Sequence, residues 1–210
     1  AMIPKVIHYC WFGGNPKNKL IEKCIASWEK YCPDYKIIEW TEYNYKTDNV
    51  YFNQALEAKK WPFAADYARL DIIYQNGGVY LDTDVELVKP LDNLMTNSCY
   101  VGTELAVGGA KINTGLGFGA EPRNKMVKAM LEEYTGIYFL TDEKNFDQTP
   151  CPERNTKAFE KYGYVRKNAI QLVGGASVLP IEYLSPKNYL TREVNITSNT
   201  ISIHHYDGAW

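Results

Sequence analysis

The stretch Gly77-Gly78-Val79-Tyr80-Leu81-Asp82-Thr83-Asp84 constrains this chain more than any other. Three apolar residues in a row after a glycine pair read as a buried strand, because a half-exposed strand would alternate. That strand runs straight into two carboxylates two residues apart. In an extended segment, residues i and i+2 point the same way. Two anions side by side at the end of a buried strand repel, unless a cation or a donor-rich ligand lies between them. Carboxylate oxygens are hard ligands that suit Mg²⁺ or Mn²⁺, ions that complete their shells with water and phosphate oxygens. The pair therefore points to a nucleoside-diphosphate site. The plainer alternative is a solvated acidic turn, and the apolar strand ahead of it counts against that.

The residues before the pair fit the same picture. Pro62 sits where a helix takes its first residue, and Phe63, Tyr67, Leu70 and Tyr74 form one apolar stripe. Asn76-Gly77-Gly78 closes the helix. Inside that pattern lie Asp66, Arg69 and Asp71, and Asp66 and Arg69 share a face at i and i+3. Read alone, they make a surface salt bridge as readily as a site. Upstream, the pattern predicts a strand over 3–9, ended by the turn Gly13-Gly14-Asn15-Pro16. A helix over 19–31, a strand over 35–40 and a helix over 50–59 follow. Strands alternating with helices argue for an α/β fold with a mainly parallel sheet, whose ligands bind outside the carboxyl ends of the strands. Tyr9 to Gly14 and Asp82 to Asp84 lie at such ends. The second half is less regular. It predicts a glycine-rich strand over 113–120, helices over 123–134 and 153–162, and a closing strand over 200–205.

Composition narrows the function. With 23 basic and 25 acidic residues, the formal charge is -2, which gives no support to a nucleic-acid face. No apolar run approaches the ~18 residues of a membrane span. The five cysteines are odd in number and scattered without a C-x-x-C pair, so they read as reduced thiols and not as a zinc site. With Met2-Ile3-Pro4-Lys5 leading straight into a strand, the expectation is a cytoplasmic chain without a signal peptide, Ala1 being an expression remnant. Asn195-Ile196-Thr197 is read as a chance glycosylation pattern, and His8, inside an apolar strand, as a satisfied core histidine. The 210 residues suit a single domain.

Three ordered blocks then resemble a known family. They are Ile3-Pro4-Lys5-Val6-Ile7-His8-Tyr9-Cys10-Trp11-Phe12-Gly13-Gly14, Phe63-Ala64-Ala65-Asp66-Tyr67-Ala68-Arg69-Leu70, and Gly77 to Asp84. The family is the DXD-containing sugar-binding glycosyltransferases, glycosyltransferase family 32. The blocks are also similar to the catalytic core of the large glucosylating toxins. The resemblance is close from Ile3 to about Pro90, weak in the middle, and returns at His205-Tyr206-Asp207-Gly208 and Trp210.

The resemblance implies a GT-A fold, a Rossmann-like nucleotide-binding α/β/α sandwich. Residues 3–90 would form its donor half and 91–210 its acceptor half. It implies a retaining, metal-dependent transferase that moves a hexose from a nucleotide-sugar to a glycan acceptor in surface polysaccharide synthesis. UDP-hexose is favoured as donor, and Mn²⁺ is favoured over Mg²⁺. An oligosaccharide or lipid-linked glycan would be the acceptor, at the inner face of the membrane with peripheral contact. By the same resemblance, Tyr9 and Trp11 would line the nucleobase pocket. Asp66 and Arg69 would hold donor-sugar hydroxyls, and Asn113 would face the sugar. Asp82 would contact ribose, sugar and metal, and Asp84 would bind the metal directly. His205 would be the third metal ligand, with His204 its rival on the opposite face of the strand; Gly208 would belong to the donor site, and Trp210 would reach the diphosphate or sugar. Asp82, Asp84 and Arg69 would carry the chemistry. Family members usually continue past the position of Trp210, so a short member or a shortened chain is expected. Two other readings compete. A metal-dependent nucleotidyl or phosphoryl transferase lacks its commonest phosphate loop here. A non-catalytic glycan-binding module would suit the 17 tyrosines and 5 tryptophans.

Overall fold

The computed structural model describes residues 2–188 and 190–208. Its first part alternates as the pattern predicts: β1 (Val6–Cys10), α1 (Lys19–Tyr31), β2 (Lys36–Trp40), α2 (Val50–Glu57), α3 (Trp61–Asn76) and β3 (Gly78–Tyr80). β4 (Val85–Leu87) follows the acidic pair. After it come β5 (Cys99–Val101), a hairpin of β6 (Thr103–Ala106) and β7 (Gly109–Ile112), β8 (Phe118–Ala120), α4 (Lys125–Glu132) and α5 (Cys151–Glu160). A second hairpin, β9 (Gln171–Val173) and β10 (Ala176–Val178), leads to α6 (Ile181–Leu184) and β11 (Ser202–His204).

The central sheet has the order β2-β1-β3-β8-β5-β10-β9. β1 is parallel to β2 and β3, and β10 is parallel to β5, whereas β8 runs against β3 and β5, and β9 against β10. Thus β2, β1, β3, β5 and β10 share one direction, and the sheet is mainly parallel. Its side chains alternate between two cores. Tyr80, Cys99 and Val101 pack with α2, α3, α4 and α5 on one face. Val79 and Tyr100 pack with Ile21 and Trp28 of α1 on the other. Both faces are covered, as a mainly parallel sheet requires.

α3 differs from its predicted stripe in an informative way. Its buried residues are Ala64, Ala65, Ala68, Arg69, Leu70, Ile72 and Ile73, while Phe63, Tyr67 and Tyr74 are half-buried. The alanines leave no bulk between helix and sheet, so the helix lies close and carries Arg69 into the interior. Its turn back into β3 needs glycine. Gly77 has φ +68°, and a Cβ there would meet the Pro122 ring at 2.6 Å. The strand predicted over 113–120 is split into a 3₁₀ turn, Thr114–Leu116, and β8. The Asn113 side chain accepts from Gly115 N at 2.8 Å and stabilises that turn. All five cysteines are buried and free. No helix among the described residues is long and apolar enough to cross a membrane.

His8 meets its expectation. Trp40 Nε1 donates to His8 Nδ1 at 3.0 Å, so Nε2 carries the proton and donates to Gly77 O at 3.0 Å. Burial pushes its pKa down to about 4.

Candidate functional site

The acidic pair sits in the tight connection between β3 and β4, where Val85 N donates to Asp82 O at 3.0 Å. The extended geometry expected from the sequence is replaced by a turn, and the two carboxylates are brought together by their partners instead. His204 Nε2 lies 3.3 Å from Asp84 Oδ1 and 3.5 Å from Asp82 Oδ2. One ligand atom from each of Asp82, Asp84 and His204 falls within 4.8 Å of the others. Asp84 Oδ2 also accepts from Asp207 N at 2.9 Å, which ties the tail to the pair.

The register of β11 on β4 decides which histidine arrives. Ser202, Ile203 and His204 stand opposite Leu87, Glu86 and Val85. His204 therefore shares the inner face of Val85, and His205 takes the face of Glu86. His205 Nε2 is 2.8 Å from Glu86 Oε1, and its Nδ1 is 3.2 Å from Lys187 Nζ. The structure thus brings His204, and not the expected His205, to the carboxylates. Burial opposes charge on His204, but Asp84 and Asp82 outweigh it and hold its pKa above the ordinary value.

Arg69 reaches the pair from the helix side. Its guanidinium donates to Asp82 Oδ1 at 3.2 Å, to Asp66 Oδ1 at 2.9 Å and to Cys151 Sγ at 2.8 Å. It is 4% exposed, so it is an immobilised charge rather than a surface ion pair. Burial pushes the Asp66 carboxyl up to about 7 against the pull of Arg69, and Asp82 adds repulsion. Behind Cys151, Asn155 Oδ1 accepts from Thr114 N at 3.0 Å and from Thr114 Oγ1 at 2.8 Å, fixing the turn that carries Asn113.

Asp66, Arg69, Asp82, Asn113, Glu104 and His204 line one cavity of about 470 Å³. A smaller recess of about 330 Å³ lies against Asp82, Asp84, His204 and Gly208. Gly115 opens the floor of the first. A Cβ there would come 2.9 Å from Asn113 Oδ1, 3.1 Å from Asp82 Oδ2 and 3.3 Å from Arg69.

Two hard carboxylates and an imidazole nitrogen so close together form a donor set that fits a divalent cation. The imidazole carries one condition. Tyr206 N donates to His204 Nδ1 at 3.1 Å, so in the neutral ring Nε2 bears the proton. Ligation through Nε2 requires Nδ1 to take the proton and this contact to open.

Tyr9 and Trp11 lie elsewhere. Both are buried in the α1-side core, at 7% and 4% exposure, and neither lines these two cavities. Trp11 Nε1 donates to Asn15 O at 2.7 Å, and Tyr9 packs edge-on against Trp28. Lys17 Nζ stands 5.6 Å from the Trp11 ring. Trp210, expected at the diphosphate or sugar, lies outside the described residues. Three residues of the site carried no sequence signal. Cys151 looked like one scattered thiol among five, and Glu104 and Gly115 lie in the irregular half.

The fold so assembled is that of the GT-A glycosyltransferases. The structure of PaToxG Glycosyltransferase superposes with TM-score 0.60 at 19% identity, covering 76% of this chain and 70% of that one. A glycosyltransferase involved in glycosylation of the major capsid of PBCV-1 superposes with TM-score 0.50 at 14% identity, covering 97% and 94%. Residues 18–101, which hold Asp66, Arg69, Asp82 and Asp84, match the family described as the glycosyltransferase sugar-binding region containing a DXD motif. Inositol phosphoceramide mannosyltransferases 3 and 1 of Schizosaccharomyces pombe are 33% and 28% identical over 110 and 111 residues. Those stretches cover 48% and 47% of this chain. The chain spans 30% and 33% of the length of these relatives.

Proposed function

We propose that this chain is a metal-dependent glycosyltransferase that moves a hexose from a nucleotide-sugar, UDP-hexose foremost, to a hydroxyl of a glycan acceptor with retention at the anomeric carbon. The observation that carries this reading is the convergence of Asp82, Asp84 and His204 within 4.8 Å of one another, with Arg69 donating to Asp82 on the wall of the adjoining cavity. Asp84 and Asp82 would hold the divalent cation, with His204 joining them once Nδ1 is protonated. When bound, the cation supplies Lewis-acid stabilisation of the charge that builds on the departing diphosphate.

The chain's own residues do the rest. Arg69 is held by Asp66 and Asp82 on either side, so its remaining donor capacity is aimed before the sugar arrives. Asn113 lies beside Gly115, whose missing Cβ leaves room for a hexose against Asp82 and Arg69. Asp66 is engaged by the guanidinium, which suits a sugar-binding role rather than a nucleophile's. Departure of the diphosphate and attack from the same face need no enzymic nucleophile, and that route is preferred here for retention. The family region across residues 18–101 supports the donor half of the reading, and the mannosyltransferase relatives make GDP-mannose the rival donor.

The test is product analysis with Mn²⁺ and UDP-glucose, UDP-galactose or GDP-mannose. The expected result is release of a nucleoside diphosphate, UDP ahead of GDP, abolished by EDTA, and an α-configured hexose by NMR. Release of pyrophosphate, or an inverted product, would contradict the proposal.

A further inference from the structure

α5 begins on the wall of the larger cavity with Cys151, and Asn155 lies one turn further along the same face. Cys10, Cys24, Cys32 and Cys99 line neither cavity of the site. The hydrogen bonds of Cys151 run in a forced order. Thr114 N can donate and not accept, so the Asn155 atom facing it at 3.0 Å is the amide oxygen. An amide oxygen accepts and does not donate, so the thiol donates to it at 3.0 Å. A guanidinium has no acceptor, so Arg69 Nη2 donates to the sulfur at 2.8 Å. Burial pushes the Cys151 pKa up to about 11 against the pull of Arg69, and the sulfur keeps the proton it gives to Asn155.

The hydrogens of the guanidinium can then be counted. Nη2 carries two, and Asp66 Oδ1 at 2.9 Å and Cys151 Sγ take both. Nε is buried without an acceptor among the described residues. Nη1 carries two. Asp82 Oδ1 takes one at 3.2 Å, and the other has no acceptor among the described residues. Nη1 also borders the space left by the missing side chain of Gly115, where a Cβ would lie 3.3 Å from it. Without the sulfur, Nη2 would hold a spare hydrogen of its own, and the group would have one restraint fewer on its rotation.

We infer that Cys151 is a positioning residue for the donor sugar: by occupying Nη2 of Arg69 it leaves Nη1 as the one donor that the guanidinium offers to a sugar hydroxyl in the space beside Gly115. This rests on the transferase reading above and adds to it a residue that acts through Arg69. A neutral acceptor suits the task. Asp66 and Asp82 already flank the guanidinium, and a third carboxylate would fix Nη2 equally well but leave an anion in excess next to the sugar. The thiol aligns the fork without adding charge, so the cost of orienting it is met before the sugar arrives.

Calorimetry with Mn²⁺ compares UDP-glucose, UDP-galactose and GDP-mannose with UDP and GDP in the parent, Cys151→Ser and Cys151→Ala. Serine keeps an acceptor for Arg69 and a donor for Asn155, and alanine keeps neither. Cys151→Ala is expected to weaken binding of the parent's preferred sugar nucleotide about tenfold, the order of one hydrogen bond to a charged group. Its diphosphate, held through the cation, should stay within about twofold. Cys151→Ser should stay within about threefold for both ligands, since its hydroxyl repeats both bonds. In an Arg69→Lys background, Cys151→Ala should change sugar-nucleotide binding by less than about twofold, because the fork it serves is gone. Melting temperatures, followed in each variant, separate loss of fold from loss of sugar reading. Equal weakening of sugar nucleotide and diphosphate in Cys151→Ala would assign the thiol to packing and overturn the inference. So would a serine variant as weak as the alanine one, or an undiminished effect in the Arg69→Lys background. A parent that binds none of the five nucleotides would overturn the donor reading and this inference with it.

Discussion

The segment from β1 to β4 and the segment from β5 to β11 build opposite walls of one cavity by different means. The first alternates its strands with helices of 8 to 16 residues, with parallel pairs β1–β2 and β1–β3. It delivers Asp66, Arg69, Asp82 and Asp84 from one helix and the turn after one strand. The second uses strands of three or four residues in two hairpins and a closing strand. It delivers Asn113, Glu104, Cys151 and His204 from places far apart in sequence. Charge placement in the first segment is local, and in the second it is set by pairing across the fold. The two walls should therefore fail differently when perturbed.

The largest expected effect comes from Arg69, where the two walls touch. Removing it leaves the half-buried Asp66 carboxylate and its neighbour Asp82 without their cation. Arg69→Ala should cost about 3–5 kcal/mol, as breaking a buried pair does. Asp66→Asn with Arg69→Met should recover most of that, since removing both charges removes the imbalance. Urea unfolding of the single and double variants measures this, and an Arg69→Ala chain as stable as the parent would break the comparison.

Next in size is the pH response of the first segment. His8 must stay neutral to accept from Trp40 and donate to Gly77, and burial lowers its pKa to about 4. The unfolded chain takes up that proton at about 6.5. Stability is therefore full above pH 6.5, falls as the pH drops towards 4, and levels below it. The loss should reach about 3 kcal/mol. Urea midpoints across that range should show the slope, and His8→Asn should flatten it from a lower starting stability.

The smallest effects sharpen the second wall. His204→Asn should weaken Mn²⁺ binding about 10–100-fold, in the range seen when a metal site loses a supporting group. His205→Asn should leave Mn²⁺ binding within about twofold, because its ring faces Glu86 and Lys187. Titration of the two variants side by side distinguishes them, and the reverse order would restore His205 as the ligand.

The same contrast governs what can be read without a structure. α1 spans the residues its apolar spacing predicts, because helical periodicity is a local property. The buried strand and the acidic pair were legible for the same reason. His204 against His205 was not, because parity in β11 is fixed by its register on β4. Nor were the two hairpins, since their strands of three or four residues carry too little alternation to register. Tyr9 and Trp11 stand at a strand end and yet belong to the core, so position at the carboxyl edge did not decide which way their rings face. Cys151 reaches Arg69 only because α5 packs against the turn after β7.

The account stands on the claim that Asp82 and Asp84 hold a diphosphate through a divalent cation. Calorimetry of UDP binding to the parent chain and to Asp84→Ala, with Mn²⁺ and with EDTA, tests it most directly. The account predicts binding that requires Mn²⁺ in the parent and falls at least about a hundredfold in Asp84→Ala, without loss of melting temperature. UDP binding that survives both EDTA and the substitution would contradict it.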